Sequence, residues 1–187
     1  MILVIDTSSP SRSAVAAIDG EATEEFFAPR LDLDLMRRLA AEKRVTRVAV
    51  ANGPGSFTGL RVGVSFGLGL AIGLRIPIVP LGSLELQAAR SDEPATAVVE
   101  AGRGRYYFQP PGGARALADP AGIPTSHPLV GMVADRRALV AAGHRLKPEE
   151  ELRPFAEAAR MLLETASEVP YRNLEIEYMQ SFSARKA

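Results

Sequence analysis

The sequence predicts an α/β fold that opens with three antiparallel strands and continues with alternating helices and strands. Three observations support this order: short apolar runs rich in Ile and Val, a turn signal at Asp19-Gly20, and a leucine at every fourth position from Leu31. The chain has 187 residues, of which 47% are hydrophobic, so it is long enough to bury a core without disulfides. We expect the order βββαβαβ over the first half of the chain.

The elements of the first half follow from these patterns. Strands are predicted at residues 1–5, 13–18, 23–27, 47–51 and 76–81, where residues 23–27 are the return strand after the Asp19-Gly20 turn. The first helix is predicted by the apolar stripe of Leu31, Leu35 and Leu39. A second helix follows a Gly-rich turn and ends near Leu74, and a short third helix over residues 83–90 is expected to be capped by Ser83.

The second half repeats this pattern more weakly, after a connection at residues 92–94. Strands are predicted at residues 96–101, 106–109 and 138–142, whereas residues 110–131 are rich in Pro and Gly and are expected to be loop. Pro154 is expected to be the first residue of a helix whose apolar face carries Phe155, Ala159, Leu162 and Ala166. We therefore predict two lobes, residues 1–93 and a reduced second lobe at residues 94–187.

The composition excludes several classes of function. Basic and acidic residues both number 22, so the chain is neutral. Domains that bind nucleic acid through their overall electrostatic field are usually basic. Cys is absent, which excludes a disulfide framework and a thiolate metal site. The longest uncharged run, residues 62–74, is shorter than the roughly 20 residues of a membrane span. We expect a cytoplasmic protein without membrane contact.

The most informative segment is a Gly-rich turn between a predicted strand and a predicted helix, Gly53-Pro54-Gly55-Ser56-Phe57-Thr58-Gly59-Leu60-Arg61-Val62-Gly63. Backbone N–H groups at such a helix N-terminus favour anions. The segment lacks the Gly-Lys-Ser/Thr of a Walker A loop and the spacing of a dinucleotide fingerprint. Two interpretations stay open: an anion site, or a tight turn with a helix cap from Ser56 or Thr58.

Small residues recur on one face of the helix after that turn, at Gly59, Gly63, Gly67 and Ala71. Each Gly inside a helix costs about 0.5–1 kcal/mol relative to Ala, so close approach of other groups must offset the cost. Either the helix packs tightly on its own sheet, or a helix from a partner chain docks on this glycine stripe. The sequence alone leaves both open.

Few residues suit catalysis. His127 and His144 lack the spacing of a helix-borne metal pair, and surface positions are expected for both. Ser56 lacks the Gly-x-Ser-x-Gly elbow of a serine hydrolase. Asp6-Thr7-Ser8 ends the first strand with an acidic residue, as in sugar kinases, but without the glycines that would let its backbone close on phosphates. We predict no catalytic residue and no bound metal.

Cations lie beside aromatic residues in one predicted turn, where Arg103 and Arg105 adjoin Tyr106 and Tyr107. These residue types can contact nucleotides or RNA. Because the chain is neutral and has one such cluster, an exposed hairpin edge is the favoured interpretation.

Several segments together resemble the bacterial TsaB (YeaZ) family. Residues 53–63 resemble the family signature, residues 2–8 its first strand, and residues 77–84 its following strand and helix start. Residues 100–107 are similar to an acidic-Ala-Arg-x-Gly-x-x-Tyr segment, although Glu100 replaces the usual Asp and the small and basic residues exchange order. The resemblance covers residues 1–90 well and fades after residue 110.

The resemblance implies an actin-like ATPase fold (ASKHA, ribonuclease H-like) with two βββαβα-type lobes, the second reduced. It implies a non-catalytic scaffold or activating subunit of the complex that forms N6-threonylcarbamoyladenosine next to the anticodon of tRNAs that read ANN codons. The related TsaD subunit would carry the metal and the transfer chemistry. A TsaE-like ATPase, and tRNA bound through the complex, are the other implied partners.

The resemblance also implies where contacts lie. A homodimer in isolation and a TsaD heterodimer are expected to share one four-helix contact, with interface residues Leu31, Leu35, Leu39, Gly59, Leu60, Gly63, Gly67 and Ala71. The chain alone is expected to bind no cofactor, with ATP or ADP possible at the partner interface. The residues expected near such a nucleotide are Asp6, Thr7, Ser8, Gly55 and Ser56.

An alternative function is a stand-alone actin-like phosphotransferase or ATPase, which the glycine stripe and the poor phosphate hairpin disfavour. A self-contained metallopeptidase is disfavoured by the lack of a paired His. The chain is also shorter than is usual for the family, and Ala28-Pro29-Arg30 lacks a His that is common there.

Overall fold

Two β-sheets, each covered by helices, make up the computed structural model, which describes residues 1–179. The strands of the first sheet are β1 (Ile2–Asp6), β2 (Ser13–Asp19), β3 (Ala22–Ala28), β4 (Arg47–Gly53) and β5 (Ile78–Gly82). They lie in the order β3-β2-β1-β4-β5. The first three strands pair antiparallel, and β4 and β5 continue the sheet in parallel with β1. The predicted three-stranded start and its turn at Asp19-Gly20 are confirmed.

The second sheet repeats this arrangement with shorter strands. Its strands are β6 (Thr96–Gly102), β7 (Arg105–Gln109), β8 (Ala116–Ala118) and β9 (Leu129–Val130), in the order β8-β7-β6-β9. Again three strands pair antiparallel and a fourth runs parallel to the first of them. A 3-10 turn at Pro120–Gly122 stands where the first lobe has a full helix. The prediction of two related lobes, the second reduced, is confirmed.

Within residues 1–179, five α-helices cover the sheets, α1 (Leu33–Glu42), α2 (Phe57–Leu74), α3 (Ser83–Ala88), α4 (Arg137–Ala141) and α5 (Phe155–Leu163). Helix α1 begins after Asp32, whose Oδ1 accepts hydrogen bonds from the N–H groups of Asp34 and Leu35, each at 3.0 Å. Helix α2 begins after Ser56, whose Oγ accepts from the Gly59 N–H at 3.2 Å. Side-chain capping thus fixes the start of both long helices of the first lobe.

Alternate residues of the first sheet enter two different core layers. One face, represented by Leu3 and Val50, packs under α1 and α2. The opposite face, represented by Val4 and Ala49, packs against α5 and against Leu86 of α3. Helix α3 also contacts the second sheet through Leu84, so it lies between the two sheets.

Four details differ from the sequence prediction. Residues 138–142 belong mainly to helix α4 and form no strand, because a single buried position, Leu139, anchors this segment. The predicted loop at residues 110–131 contains β8, β9 and the 3-10 turn. Gly82 caps α3, and Ser83 is its first residue, with its Oγ buried and unpartnered among the described atoms. Pro154 is the N-cap of α5, and the helix ends before Ala166.

The chain after α5 returns to the first sheet. Val169 forms an antiparallel bridge with Ile78, with a hydrogen bond from the Val169 N–H to the Ile78 oxygen at 3.0 Å. Residues 169–178, which we call the C-terminal segment, then pass beside α2 and the Gly-rich turn, where the Glu177 N–H donates to the Asn52 oxygen at 2.8 Å. The lobe boundary at residue 93 stays a prediction, although α5 packs on strands of the first sheet.

Helix α2 is long and apolar enough to cross a membrane by length and composition alone, and in the described residues it is the one helix of that kind. Arg61 lies within it, and its buried face packs against the first sheet. The core helix of a soluble protein passes the same test of length and composition.

Candidate interaction site

The Gly-rich turn packs against the loop that follows β1. The Ser56 N–H donates to the Ser8 oxygen at 2.7 Å. A methyl group at Gly55 would lie 2.7 Å from both the Cβ and the carbonyl oxygen of Ser8, so only Gly fits there. The turn therefore directs this donor at its own chain, which favours the tight-turn interpretation over the anion site.

The glycine stripe of α2 faces the first sheet. A methyl group at Gly59 would lie 2.0 Å from the Thr7 oxygen, and one at Gly63 would lie 2.2 Å from the Thr7 Oγ1. At Gly67 it would lie 2.3 Å from Cγ1 of Val50. These separations are far below van der Waals contact, so the missing side chains allow the helix to rest on β1 and β4. The prediction that the stripe is an outward groove for a partner helix is wrong, and packing on the chain's own sheet is confirmed.

The remaining predicted interface residues also lie inward. Leu60 and Ala71 have no solvent exposure, and Leu35 and Leu39 are buried in the same core layer as α2. Leu31 is half-buried against that layer. Leu35 and Leu39 of α1 therefore form part of the core, and the predicted stripe from Leu31 is not an exposed ridge, because its periodicity matches the face that covers the sheet.

The residues predicted to surround a nucleotide are brought together, but they pack on one another. Asp6, Thr7 and Ser8 are buried, and Gly55 and Ser56 are half-buried above them. Thr7 uses its Oγ1 to donate to the Gly59 oxygen at 2.7 Å. This arrangement holds α2 on the sheet, and nucleotide binding at these residues stays a prediction.

Asp6 lies at the centre of a buried polar cluster between the lobes. Its Oδ1 accepts the Ser8 N–H at 2.8 Å, while its Oδ2 has no partner among the described residues. Burial raises the pKa of Asp6, and this effect outweighs the opposing influences of Ser8, Arg90 and Gln87. The carboxyl group is therefore closed off from solvent, whereas an acid that acts on a phosphate must be accessible to its substrate.

The opposite side of α2 is exposed and forms a candidate contact surface. We call this surface the outer stripe, and its residues are Val62, Ser65, Gly69, Ile72 and Gly73. Val62 and Ile72 are 47% and 49% exposed, and methyl groups at Gly69 and Gly73 would contact nothing within 4 Å. A row of small and apolar residues with open space above it permits close approach of another helix.

The C-terminal segment contacts both ends of α2. At the start of the helix, the Tyr178 ring packs at a tilt of 39° against Phe57, with 5.4 Å between centroids, and Arg61 Nε donates to the Tyr178 hydroxyl at 3.1 Å. At the other end, the Tyr171 hydroxyl lies 2.8 Å from the Ile76 oxygen, just beyond the helix, and 3.2 Å from the Ala71 oxygen, so it can donate its one hydrogen to either. Sequence reasoning missed this segment, which has no regular periodicity.

The two His residues have different surroundings. His144 is buried, with Nε2 2.8 Å from the Pro120 oxygen, so the surface position predicted for it is wrong. His127 is half-buried beside the exposed Ser126. Among residues 1–179, His, Asp and Glu form no group of three that lies close enough to hold a metal ion.

The predicted hairpin over Arg103 is present at the β6–β7 turn. Arg103 and Arg105 are exposed, whereas Tyr106 and Tyr107 are each 5% exposed and pack on opposite faces of the second sheet. Burial raises the pKa of Tyr106, with further contributions from the nearby carboxylates. The aromatic rings are therefore unavailable for stacking on a ligand, but the guanidinium groups remain accessible.

Comparisons with known proteins agree with this architecture. A family model described as TsaD, tRNA N6-adenosine threonylcarbamoyltransferase, matches residues 34–120. The tRNA threonylcarbamoyladenosine biosynthesis protein TsaB of Haemophilus influenzae is 30% identical over 122 residues, covering 57% of this chain and 52% of the relative. The TsaB of Bacillus subtilis is 40% identical over 70 residues, covering 36% of this chain and 31% of the relative.

A solved structure shares the whole fold. YeaZ from Pseudomonas aeruginosa matches with a TM-score of 0.70 and 18% identity, covering 95% of this chain and 99% of that chain. The fold is therefore the two-lobed, actin-like α/β architecture. The sequence matches span about half of the curated relatives' length or less. The chain is thus similar to TsaB proteins over part of its sequence and to YeaZ in its fold.

Proposed function

We propose that this chain takes part in tRNA threonylcarbamoyladenosine biosynthesis as the non-catalytic partner of a TsaD-like subunit. The curated relatives are named for that pathway, and the family model that matches residues 34–120 is the transferase itself. A chain with the transferase's fold but few catalytic residues suits a supporting subunit. The single observation that carries the proposal is the open outer stripe of α2.

The outer stripe has the properties of a helix-docking surface. Its centre lies opposite the glycine stripe, so an incoming helix would leave the packing on the sheet intact. Gly69 and Gly73 carry no side chain, and Val62 and Ile72 supply apolar area to bury. In isolation, a second copy of the chain would use the same stripe, and the homodimer would then compete with the heterodimer.

The buried Asp6 cluster supports the partner role over a stand-alone phosphotransferase. A phosphate-transferring site needs backbone donors and an acid that face the substrate. Here Asp6 and Ser8 have no solvent exposure, and the Ser56 N–H donates to the chain itself. We propose that any ATP or ADP binds where the partner completes the site, and that a TsaE-like ATPase and tRNA join through the complex.

Reconstitution of the modification tests this proposal. The purified chain is mixed with a TsaD-like subunit and a TsaE-like ATPase of the same organism, together with tRNA and the small substrates. Nucleoside mass spectrometry then measures threonylcarbamoyladenosine. We expect modification only when both the chain and the TsaD-like subunit are present, and no ATP hydrolysis by the chain alone. Modification that proceeds equally well without the chain, or robust ATP turnover by the chain alone, would contradict the proposal.

A further inference from the structure

We propose that four arginines at one end of the second sheet bind the phosphate backbone of RNA. This inference rests on the proposed function, because it assigns a tRNA contact to this chain. We call the arginine cluster Arg103, Arg105, Arg136 and Arg137, which come from two separate elements. Arg136 is half-buried and the other three are exposed.

The first element is the tight β6–β7 turn. Gly102 pairs with Arg105 across the hairpin, so Arg103 and Gly104 form the turn itself, with φ values of 56° and 73°. A two-residue turn with both φ values positive is well defined, and it suits the twist of a hairpin. It therefore presents Arg103 and Arg105 at a fixed, exposed tip.

The second element is the loop between β9 and α4, which runs along the other side of β6. Strand β9 pairs in parallel with the start of β6, and the chain continues in the same direction until the Ala134 N–H donates to Glu100 Oε1 at 3.0 Å. Glu100 is opposite Tyr106, next to the hairpin tip. This register brings Arg136 and Arg137 to the same end of the sheet as Arg103 and Arg105.

The nearby acidic groups leave most of this charge available. Asp135 accepts hydrogen bonds from Arg137 at 2.9 and 2.8 Å, and Glu100 Oε2 accepts from the Ser11 hydroxyl at 3.0 Å. In the described part of the chain, no side chain pairs with the guanidinium groups of Arg103, Arg105 and Arg136. The cluster is therefore locally cationic although the whole chain is neutral.

The chemistry of the cluster favours phosphate over bases. Guanidinium groups bind phosphate oxygens through paired hydrogen bonds. Tyr106 and Tyr107, which would stack on bases, are buried in the second lobe. The contact is therefore independent of base sequence, sensitive to salt, and weak in the isolated neutral chain.

The test measures binding of a fluorescently labelled tRNA transcript to the full chain over a salt series that begins at about 50 mM. The double variant Arg103→Gln/Arg105→Gln is compared with Arg145→Gln/Arg172→Gln, a pair of exposed arginines elsewhere that loses the same charge. Each lost phosphate contact lowers the salt slope by about 0.7–0.9, so we expect the hairpin variant to reduce it by about 1.5 and the control to leave it unchanged. An unrelated RNA of equal length should bind similarly.

Equal slopes for the two double variants, or no binding of RNA by the wild-type chain at low salt, would overturn the inference. Co-elution with the TsaD-like subunit is measured in parallel and should be retained by the hairpin variant. If the wild-type chain does not co-elute but the hairpin variant still lowers the salt slope, the proposed function fails while the arginine cluster stands.

Discussion

At the scale of single residues, Asp6 is a carboxyl group that the fold buries, whereas a catalytic acid would be open to its substrate. Its sequence position, at the end of the first strand, was predicted correctly. Its role depends on the residues that cover it. Gln87 lies in α3 and Arg90 follows that helix, and both are buried beside the carboxyl group. No local pattern shows that α3 lies between the sheets, so the sequence did not distinguish an open nucleotide cleft from a buried cluster.

The buried carboxyl group predicts a pH dependence of stability. Because burial raises the pKa of Asp6 in the folded state, the folded chain holds this proton more tightly than the unfolded chain does. The free energy of unfolding should therefore fall as the pH rises from about 4 through the folded-state pKa. Asp6→Asn keeps the acceptor for the Ser8 N–H and removes the charge, so this part of the decline should disappear.

Urea unfolding of the wild-type chain and of Asp6→Asn over a pH series measures the difference directly. The two curves of unfolding free energy against pH should diverge as the pH rises, with the variant the more stable at neutral pH. Parallel curves would show that Asp6 is as well solvated in the folded chain as in the unfolded one.

At the scale of elements, helix α2 carries two faces with opposite roles. The recurrence of Gly59, Gly63 and Gly67 correctly indicated a close approach, by either the chain's own sheet or a partner helix. The sequence did not decide between them, because close packing on a sheet and close packing on a helix both require small residues. The outer stripe was missed because its residues mix apolar, polar and Gly types, which gives no periodic signal.

Two Gly→Ala variants separate the faces. Gly67→Ala would place a methyl group 2.3 Å from Cγ1 of the buried Val50, and overpacking of this kind costs about 1–3 kcal/mol. Gly69→Ala meets open space and should raise the free energy of unfolding by about 0.5–1 kcal/mol through helix propensity alone. Urea unfolding of both variants checks this, and stabilisation by both changes would mean that the glycine stripe does not rest on the sheet.

Other elements were predicted where the residues of the segment itself specify its structure. The strands of the first lobe have continuous apolar runs, and the Asp32 and Ser56 caps follow from residue type. Residues 138–142 were misassigned because a short run of Ala, Leu and Val fits strand and helix equally well. The C-terminal segment is placed by contacts with distant residues, including an ion pair of Glu177 with Arg115 and a hydrogen bond to Asn52, which no local pattern shows.

At the scale of the whole molecule, polar contacts join the two lobes. Arg90 is buried between them, where it pairs with Glu149 and donates through Nε to the Arg153 oxygen at 3.2 Å. Glu100 of the second sheet accepts a hydrogen bond from Ser11 of the first lobe. The lobes therefore present two separate surfaces on one connected body, the outer stripe, which we propose binds a protein partner, and the arginine cluster, which we propose binds RNA.

The most direct test of this account is association of the chain with a TsaD-like subunit when the outer stripe is made acidic. Val62→Glu/Ile72→Glu changes two exposed side chains, so folding should be retained, while two carboxylates would have to be buried on docking. Val140→Glu, at a valine of α4 that is 59% exposed, is the control. By size-exclusion chromatography with light scattering, we expect the double variant to stay folded and to lose the heterodimer, whereas Val140→Glu forms it normally. A heterodimer formed equally well by both variants would place the interface away from α2 and contradict the account.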